Sequence, residues 1–195
     1  MTQTILGLLR HGQTDWNIDL RLQGTTDIPM NQVGIKQIQT AAAQLAGDWD
    51  VILSSPLGRA KHSAQLVADY LGLSEIIEEQ LLLERSFGIG EGLTYQQWHE
   101  QFSTLDEIPG AESQHQVQTR SKLLLDHISS KFAGQRVLAV SHGALIRFVL
   151  SEVSNGEVPP PGERLQNASL HLLRHSGSWT LDAWAPQPLG SQALG

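Results

Sequence analysis

Three short apolar runs constrain the fold of this sequence more than any other feature. They lie at 5–9, 51–53 and 137–140, and a basic or hydroxyl-bearing residue directly follows each of them. Short runs rich in Leu, Ile and Val are typical of strands that are buried on both faces of a sheet. The sequence therefore predicts central strands that need helices on both sides.

Stretches with apolar residues at helical spacing lie between and after these runs. We expect four long helices, at about 31–45, 57–71, 113–132 and 143–153. In the second helix, the spacing predicts a core face formed by Leu66, Val67, Tyr70 and Leu71. Two further strands are expected at 170–173 and 179–185. This alternation predicts an α/β fold, a three-layer sandwich with a mostly parallel central sheet flanked by helices.

The rest of the chain is expected to belong to the same domain, which we predict to span residues 1–195. The segment at about 85–113 is polar and rich in glycine, and we expect it to form a short lid over one end of the sheet. Residues 186–195 are expected to be a frayed tail.

Composition excludes several classes of function. The chain has no cysteine, which excludes disulfides, thiolate nucleophiles and zinc–thiolate sites. The formal net charge of -7 argues against non-specific binding to nucleic acid. No segment approaches the roughly 20 apolar residues of a membrane helix, and the first residues do not resemble a secretory signal. We therefore expect a cytoplasmic monomer or homodimer with no nucleic-acid or membrane partner.

Basic side chains follow all three central strands. Arg10 and His11 follow the first strand, Arg59 lies one turn beyond the second, and His142 follows the third. Ligands of such sheets bind at the carboxyl ends of the strands, so these side chains are expected to converge in a cationic pocket suited to a phosphate dianion. A glycine directly follows each of the two histidines, and Gly143 is the one after His142. Glycine at these positions allows an anion to approach helix N–H groups closely. On spacing alone, an exposed helix charge is an equally good interpretation of Arg59.

Five segments carry distinctive polar motifs in a fixed order. They are Leu-Arg-His-Gly-Gln-Thr-Asp-Trp-Asn at 9–17, Arg-Leu-Gln-Gly at 21–24, Ser-Ser-Pro-Leu-Gly-Arg-Ala at 54–60, Leu-Glu-Arg-Ser-Phe-Gly at 83–88 with Glu-Gly at 91–92, and Val-Ser-His-Gly at 140–143. In this order they resemble the motifs of the histidine phosphatase superfamily, in its phosphoglycerate-mutase-like branch. The resemblance covers roughly residues 5–150 and implies phosphoryl transfer through a histidine.

The resemblance implies a role for each residue of the pocket. His11 would be the nucleophile that becomes phosphohistidine. Glu84 would give a proton to the leaving oxygen and later act as the base for the attacking water. Arg10, Arg59 and His142 would hold the phosphoryl oxygens while charge moves between them.

Four further positions complete the predicted substrate- and phosphate-binding set. The resemblance implies that Asn17 donates to the phosphate or positions its neighbours, and that Gln23 and Gly24 line the substrate entrance. Gly143 joins the set through its place beside the second histidine. The flanking glycines of Glu91 indicate a turn, so we do not expect this carboxylate to be catalytic.

The proposed chemistry fits these residue types. A histidine nucleophile must be neutral, and neighbouring guanidinium groups lower its pKa. Glu84 can donate a proton only if burial beside the bound dianion raises its pKa. Arginines supply the positive charge that phosphoryl transfer needs. The eight histidines show no metal-ligand spacing, so we expect neither a metal nor a cofactor.

The length of the lid separates two enzyme functions. The mutases of this family resemble one another in a longer cap that carries arginines. Here the stretch after Glu84 is short, and Arg85 is its only arginine. We therefore predict a phosphatase acting on a small phosphorylated metabolite. A cofactor-dependent phosphoglycerate mutase is the alternative enzyme. A phosphoryl-binding regulatory module is the non-enzyme alternative, which the presence of every expected catalytic group disfavours.

Overall fold

The computed structural model describes residues 3–45 and 48–189, and these residues form a six-stranded sheet with helices on both faces. The strands are β1 (Thr4–Arg10), β2 (Val51–Ser54), β3 (Ile76–Glu78), β4 (Arg136–Ser141), β5 (Leu170–His175) and β6 (Trp179–Ala183). Their order across the sheet is β3-β2-β4-β1-β5-β6. The first four strands are parallel, while β5 and β6 are antiparallel to their neighbours. The sheet is mostly parallel, as predicted.

The described residues form four long and two short α-helices. They are α1 (Asp15–Ile18), α2 (Gln32–Gln44), α3 (Gly58–Leu71), α4 (Tyr95–His99), α5 (Gln114–Lys131) and α6 (Gly143–Val153). Helices α2 and α3 pack together on one face, and α5 and α6 pack together on the other. This confirms the predicted three-layer α/β sandwich. None of these helices is long and apolar enough to cross a membrane.

Successive side chains of the central strands point to opposite faces of the sheet and so divide the core into two halves. Leu8 of β1 and Ala139 of β4 belong to the half under α5 and α6, whereas Leu9 and Val140 belong to the half under α2 and α3. All four residues are completely buried. Successive side chains of a strand point to opposite faces, so a strand covered on both sides needs a continuous apolar run.

The register of β1 and β4 brings the ends of the two strands together. Arg10 and Ser141 are partners across the sheet, so His11 and His142 leave it side by side. The backbone N–H of His11 donates to the carbonyl of Ser141 at 3.0 Å. Ser55, directly after β2, donates its backbone N–H to the carbonyl of Val140 at 3.0 Å. Three strand ends therefore meet at one edge.

Two elements differ from the expectations. Tyr70 is 61% exposed and does not lie on the core face of α3. That face is formed mainly by small residues, which allow α3 to lie close to the sheet and to α2. A prediction from the spacing of large apolar side chains therefore misplaces the core face of this helix. Strand β3 has no counterpart among the predicted strands, because its three partly exposed residues form no buried apolar run.

The segment predicted as a lid leaves the sheet after β3 and returns at α5. It contains α4 and short 3-10 turns, and Trp98 of α4 is buried. The first residues of the predicted tail contact the domain, since Leu189 donates its backbone N–H to Ala168 at 2.9 Å and the carbonyl of Pro186 accepts from Gln166 at 2.6 Å. Residues 190–195 lie outside the described residues.

The contact between α2 and the loop after β1 leads to a first prediction. A Cβ on Gly34 would lie 2.2 Å from the carbonyl oxygen and 2.5 Å from the nitrogen of Gln13, both backbone atoms. Gly34→Ala must therefore shift the loop that holds His11. We expect a loss of about 2 kcal/mol in the free energy of unfolding, measured by urea denaturation, together with lower activity.

Val33→Ala is the control for this variant, because Val33 is exposed in the same turn of α2. Its effect should stay within about 0.5 kcal/mol. Equal stability of Gly34→Ala and the parent protein would contradict the assigned contact.

Candidate active site

A cavity of about 510 Å³ opens at the carboxyl ends of the parallel strands. This volume is typical of sites for small molecules. Its walls come from the loop after β1, the lid, the start of α6 and the segment 164–167. Six of the nine predicted site residues line it, namely Arg10, His11, Asn17, Gln23, Glu84 and Gly143. The other three, Gly24, Arg59 and His142, lie behind this surface.

His11 is 2% exposed, and a hydrogen bond fixes its tautomer. Its Nδ1 lies 2.8 Å from the carbonyl oxygen of Gly12. A carbonyl can only accept, so Nδ1 carries the proton and Nε2 keeps its lone pair. Burial, with the charges of Arg59 and Arg10, lowers the pKa of His11 well below its usual value. The imidazole is therefore a neutral base with one available nitrogen.

His142 is completely buried beside His11, with 5.1 Å between the ring centroids. A hydrogen bond of 2.7 Å joins His142 Nε2 to the hydroxyl of Ser55. Its Nδ1 is buried without a partner among the described residues. Burial, followed by the charge of Arg59, lowers the pKa of His142 well below its usual value. A neutral His142 that accepts from Ser55 would carry an unpaired N–H at Nδ1.

Arg10 forms the floor of the cavity next to the first residue of α6. One of its terminal nitrogens donates to the carbonyl of Leu165, while its Nε is buried without a partner among the described residues. Burial lowers the pKa of Arg10 to about 10, although the charge of Glu84 opposes the shift. A Cβ on Gly143 would lie 3.3 Å from the guanidinium, so glycine there leaves room for Arg10.

Arg59 is 1% exposed, which excludes its interpretation as an exposed helix charge. Its guanidinium donates to the carbonyls of Gly24 at 2.7 Å and Thr26 at 3.0 Å, and lies 3.7 Å from Asp27. Burial lowers its pKa, against the charges of Glu84 and Asp27. The role of Gly24 is thus to hold Arg59 through its carbonyl, since it does not line the cavity.

Glu84 lies at the N-terminus of α6. Its Oε1 accepts from the backbone N–H groups of Arg85 at 2.9 Å and Leu145 at 3.0 Å, and its Oε2 accepts from Ala144 at 3.1 Å. Two N–H groups that were expected to face an anion at this helix end therefore bind a carboxylate of the protein itself. Oε2 accepts fewer of these bonds and is the oxygen with room for a proton.

The loop after β1 is held by a network of amides. Thr14 and Asn17 cap α1 reciprocally, and both donate to the side-chain oxygen of Gln23, at 3.0 and 3.2 Å. Asn167 donates to the carbonyl of His11 and to the side-chain oxygen of Asn17, each at 3.0 Å. The side chain of Asn17 thus makes its hydrogen bonds to neighbouring residues of the protein. In contrast, the Nε2 of Gln23 is buried without a partner among the described residues.

Glu91 fixes the loop that holds Arg59. Its carboxylate accepts from the backbone N–H groups of Thr25 at 2.9 Å, Thr26 at 2.7 Å and Phe87 at 3.2 Å. Burial raises the pKa of Glu91, but hydrogen bonds from Thr26, Thr25 and Phe87 outweigh it and lower the pKa below its usual value. This carboxylate joins the lid to the loop and does not line the cavity.

Sequence reasoning missed several residues of the site. Ser55, Asn167, Arg147 and Arg164 are absent from the predicted set, although Ser55 contacts His142 and the others line the cavity. The position of Ser55 directly after a strand was a usable signal. Residues 164–167 follow the prolines at 159–161 and belong to no strand or helix, so no local pattern indicated their place.

The cavity is strongly cationic, although the chain as a whole is acidic. Among the described residues, Glu84 is the one acidic residue that lines it. Five arginines line it: Arg10, Arg21, Arg85, Arg147 and Arg164. The described residues contain no cluster of His, Asp and Glu that could hold a metal ion. Arginine forks and a neutral histidine suit an oxyanion such as phosphate, and they can stabilise its charge during group transfer.

Comparison with known proteins agrees with this geometry. Residues 6–186 match the family model described as histidine phosphatase superfamily (branch 1). An uncharacterized phosphatase of Bacillus subtilis, PhoE, is 36% identical over 169 residues, covering 86% of both chains. A metal-independent phosphoserine phosphatase of Arabidopsis thaliana is 33% identical, over 93% of this chain and 81% of that protein. Phosphoglycerate mutase-like proteins are also among the relatives.

A solved structure gives the same result. A mutant phosphoserine phosphatase from Entamoeba histolytica, in complex with phosphoserine, superposes with a TM-score of 0.81 and 28% identity, over 94% of this chain and 98% of that chain.

The buried histidines predict a pH-dependent stability. Burial lowers the pKa of His171 in β5 from 6.5 to about 4. Between these values the unfolded chain binds a proton that the folded chain does not, so stability falls as the pH falls below about 6.5. His171→Gln removes this contribution. We expect the stability advantage of the parent over the variant to decrease by about 1.4 kcal/mol per pH unit between about pH 6 and pH 5.

Urea denaturation of both proteins across this range gives the measurement. The range above about pH 7.5 is the internal control, because His171 is neutral in both states there and the difference should be constant. A difference that stays constant from about pH 8 to pH 5 would show that His171 is not held neutral.

Proposed function

The chain belongs to the histidine phosphatase superfamily, and we propose that it is a phosphatase that hydrolyses a small phosphomonoester through a phosphohistidine at His11. One observation carries this proposal. The bond from His11 Nδ1 to the carbonyl of Gly12 leaves Nε2 as a lone-pair donor, and burial, together with the charges of Arg59 and Arg10, lowers the pKa of the ring and keeps it neutral. A nucleophile of this kind needs an anionic electrophile, for which the cationic cavity is suited.

In the proposed first step, Nε2 of His11 attacks phosphorus and the bond from phosphorus to the ester oxygen breaks. The leaving oxygen takes a proton from Glu84, so the products are phosphohistidine, an alcohol and the Glu84 carboxylate. Arg10 and Arg59 stabilise the phosphoryl oxygens as their charge shifts. The unpaired Nδ1 of His142 adds a donor if its Nε2 accepts from Ser55.

In the proposed second step, water attacks the phosphohistidine. Glu84 accepts a proton from the water, the bond from phosphorus to Nε2 breaks, and inorganic phosphate leaves. Oε2 of Glu84 is suited to this exchange because it accepts only from Ala144 among the described residues. The helix N-terminus holds the carboxylate in place between the two steps.

The state of Arg85 favours hydrolysis over mutase activity. Arg85, the one arginine of the lid, donates to Asp106 at 2.5 Å and to the carbonyl of Glu112 at 2.8 Å. It is therefore engaged within the lid, so the lid contributes no free arginine of the kind expected in the cap of a mutase. Phosphatases among the relatives support the same assignment.

His11→Ala tests the covalent step. We expect turnover of p-nitrophenyl phosphate to fall at least about a thousandfold, because the nucleophile is lost. Labelling of the protein by substrate phosphate in an acid-labile, alkali-stable form should also disappear. His115→Ala is the matched control, since His115 is exposed on α5 outside the cavity.

Near-normal turnover by His11→Ala would refute the covalent mechanism. In the parent protein, phosphate release should not require added bisphosphoglycerate. Transfer of the phosphoryl group between the hydroxyls of phosphoglycerate, with a requirement for the bisphosphate, would identify a mutase instead.

Glu84→Gln tests the acid role. Nitrophenolate leaves without a proton, whereas an alkoxide needs one, so the loss of kcat should depend on the leaving group. We expect a loss of about a hundredfold or more on alkyl phosphates and less than about tenfold on p-nitrophenyl phosphate. Thermal unfolding of the variant checks that the start of α6 is intact. Equal losses on both substrates would remove Glu84 from the acid role.

A further inference from the structure

The arginines of the cavity differ in whether a carboxylate neutralises them. Arg21 pairs with Asp19 at 3.2 Å, and Arg85 pairs with Asp106 at 2.5 Å. Among the described residues, no acidic side chain lies within ion-pair distance of Arg10, Arg147 or Arg164. Arg10 belongs to the phosphate site proposed above, so Arg147 and Arg164 remain in the same cavity without an ion pair, although the charge of Glu163 opposes the lowering of the Arg147 pKa by burial.

Arg147 lies on the wall that carries the proposed phosphate site. It is four residues beyond Gly143 on α6, so both residues face the cavity about one helical turn apart, roughly 5–6 Å along the axis. Arg147 is half-buried, and one terminal nitrogen donates to the carbonyl of Glu163. Its remaining donors are available to a ligand.

Arg164 is placed between two backbone anchors. Arg147 donates to the carbonyl of Glu163, and Arg10 donates to the carbonyl of Leu165, so the residues on either side of Arg164 are fixed. Arg164 lines the cavity and is exposed, and its side chain makes no hydrogen bond within the described part of the chain. All three arginines line the same cavity, and the charges of Arg164 and Arg147 add to the effect of burial in lowering the pKa of Arg10.

We propose that Arg147 and Arg164 form a second anion-binding subsite, so that the substrate is a phosphomonoester carrying a further acidic group a few carbon atoms from the ester oxygen. This inference rests on the proposed function and names the substrate class of the same site. Arginine forks bind carboxylate or phosphate in two-point contacts, and the acidic group would neutralise charges that the protein leaves unpaired. A carboxylate and a second phosphate share this chemistry.

Matched substrate pairs test the subsite. Phosphoserine and phosphoethanolamine differ by a carboxylate, and fructose 1,6-bisphosphate and fructose 6-phosphate differ by a phosphate. We expect the parent protein to favour the acidic member of one pair by at least about tenfold in kcat/KM, chiefly through KM. The pair that shows the preference identifies the second acidic group.

Arg164→Gln is the decisive variant, because this side chain holds no other part of the protein. It should reduce the preference for the acidic member by about tenfold, and Arg164→Lys should retain a large part of the preference. Arg147→Gln should act in the same direction, with a larger effect on thermal stability through Glu163. Arg174→Gln is the matched control, since Arg174 pairs with Asp182 at the far edge of the sheet and its loss changes the net charge equally.

Two results would overturn the subsite. One is a parent protein with no preference in either pair, and the other is an Arg164→Gln variant that loses equally on both members of a pair. Calorimetric binding of phosphoserine and phosphoethanolamine to His11→Ala measures the subsite without turnover. Failure of the parent to hydrolyse any of these esters would reject the proposed function, while the binding comparison would still decide the subsite.

Discussion

The burial of Arg59 is the constraint on which the site depends. A guanidinium with 1% exposure is held by two carbonyls, from Gly24 and Thr26, and its one ion-pair partner among the described residues, Asp27, is half-exposed at 3.7 Å. Burying this charge is costly in a protein interior, and the charges of nearby carboxylates only partly offset that cost, since burial still lowers the pKa of Arg59. That charge disfavours protonation of both buried histidines. It also explains why Glu91 must fix the loop, since a shifted loop would leave the guanidinium without acceptors.

The start of α6 joins Glu84, the proposed acid, to Arg10, which is proposed to bind phosphate. Glu84 accepts from Ala144 and Leu145, while Gly143 makes room for Arg10. A helix N-terminus attracts anions, and here it positions a carboxylate at the rim of a cationic cavity. In the proposed mechanism, the arginine side chains bind the anionic groups of the substrate. The carboxylate of Glu84 would then lie close to the leaving oxygen without contacting the phosphate.

Much of the fold followed from pattern, and the exceptions have physical causes. The central strands were predictable because burial on both faces demands a continuous apolar run. The long helices were predictable because their buried side repeats with the helical period. Tyr70 was misplaced because the core face of α3 is built from small residues such as Ala64, which carry little weight in a spacing argument. Asn167 and Arg164 were not predictable, because a loop that packs through distant contacts has no local pattern.

The sequence by itself determined the order of the central strands and long helices, because local periodicity distinguishes them, and it placed basic residues after three strands. Only the tertiary structure decided the state of those residues. Whether Arg59 was buried or exposed depended on acceptors in the loop before α2, and the tautomer of His11 on a carbonyl orientation. The pairing of Glu84 with α6, and of Arg10 with Leu165, joins segments far apart in the chain. Such contacts depend on packing between elements, which no local pattern encodes.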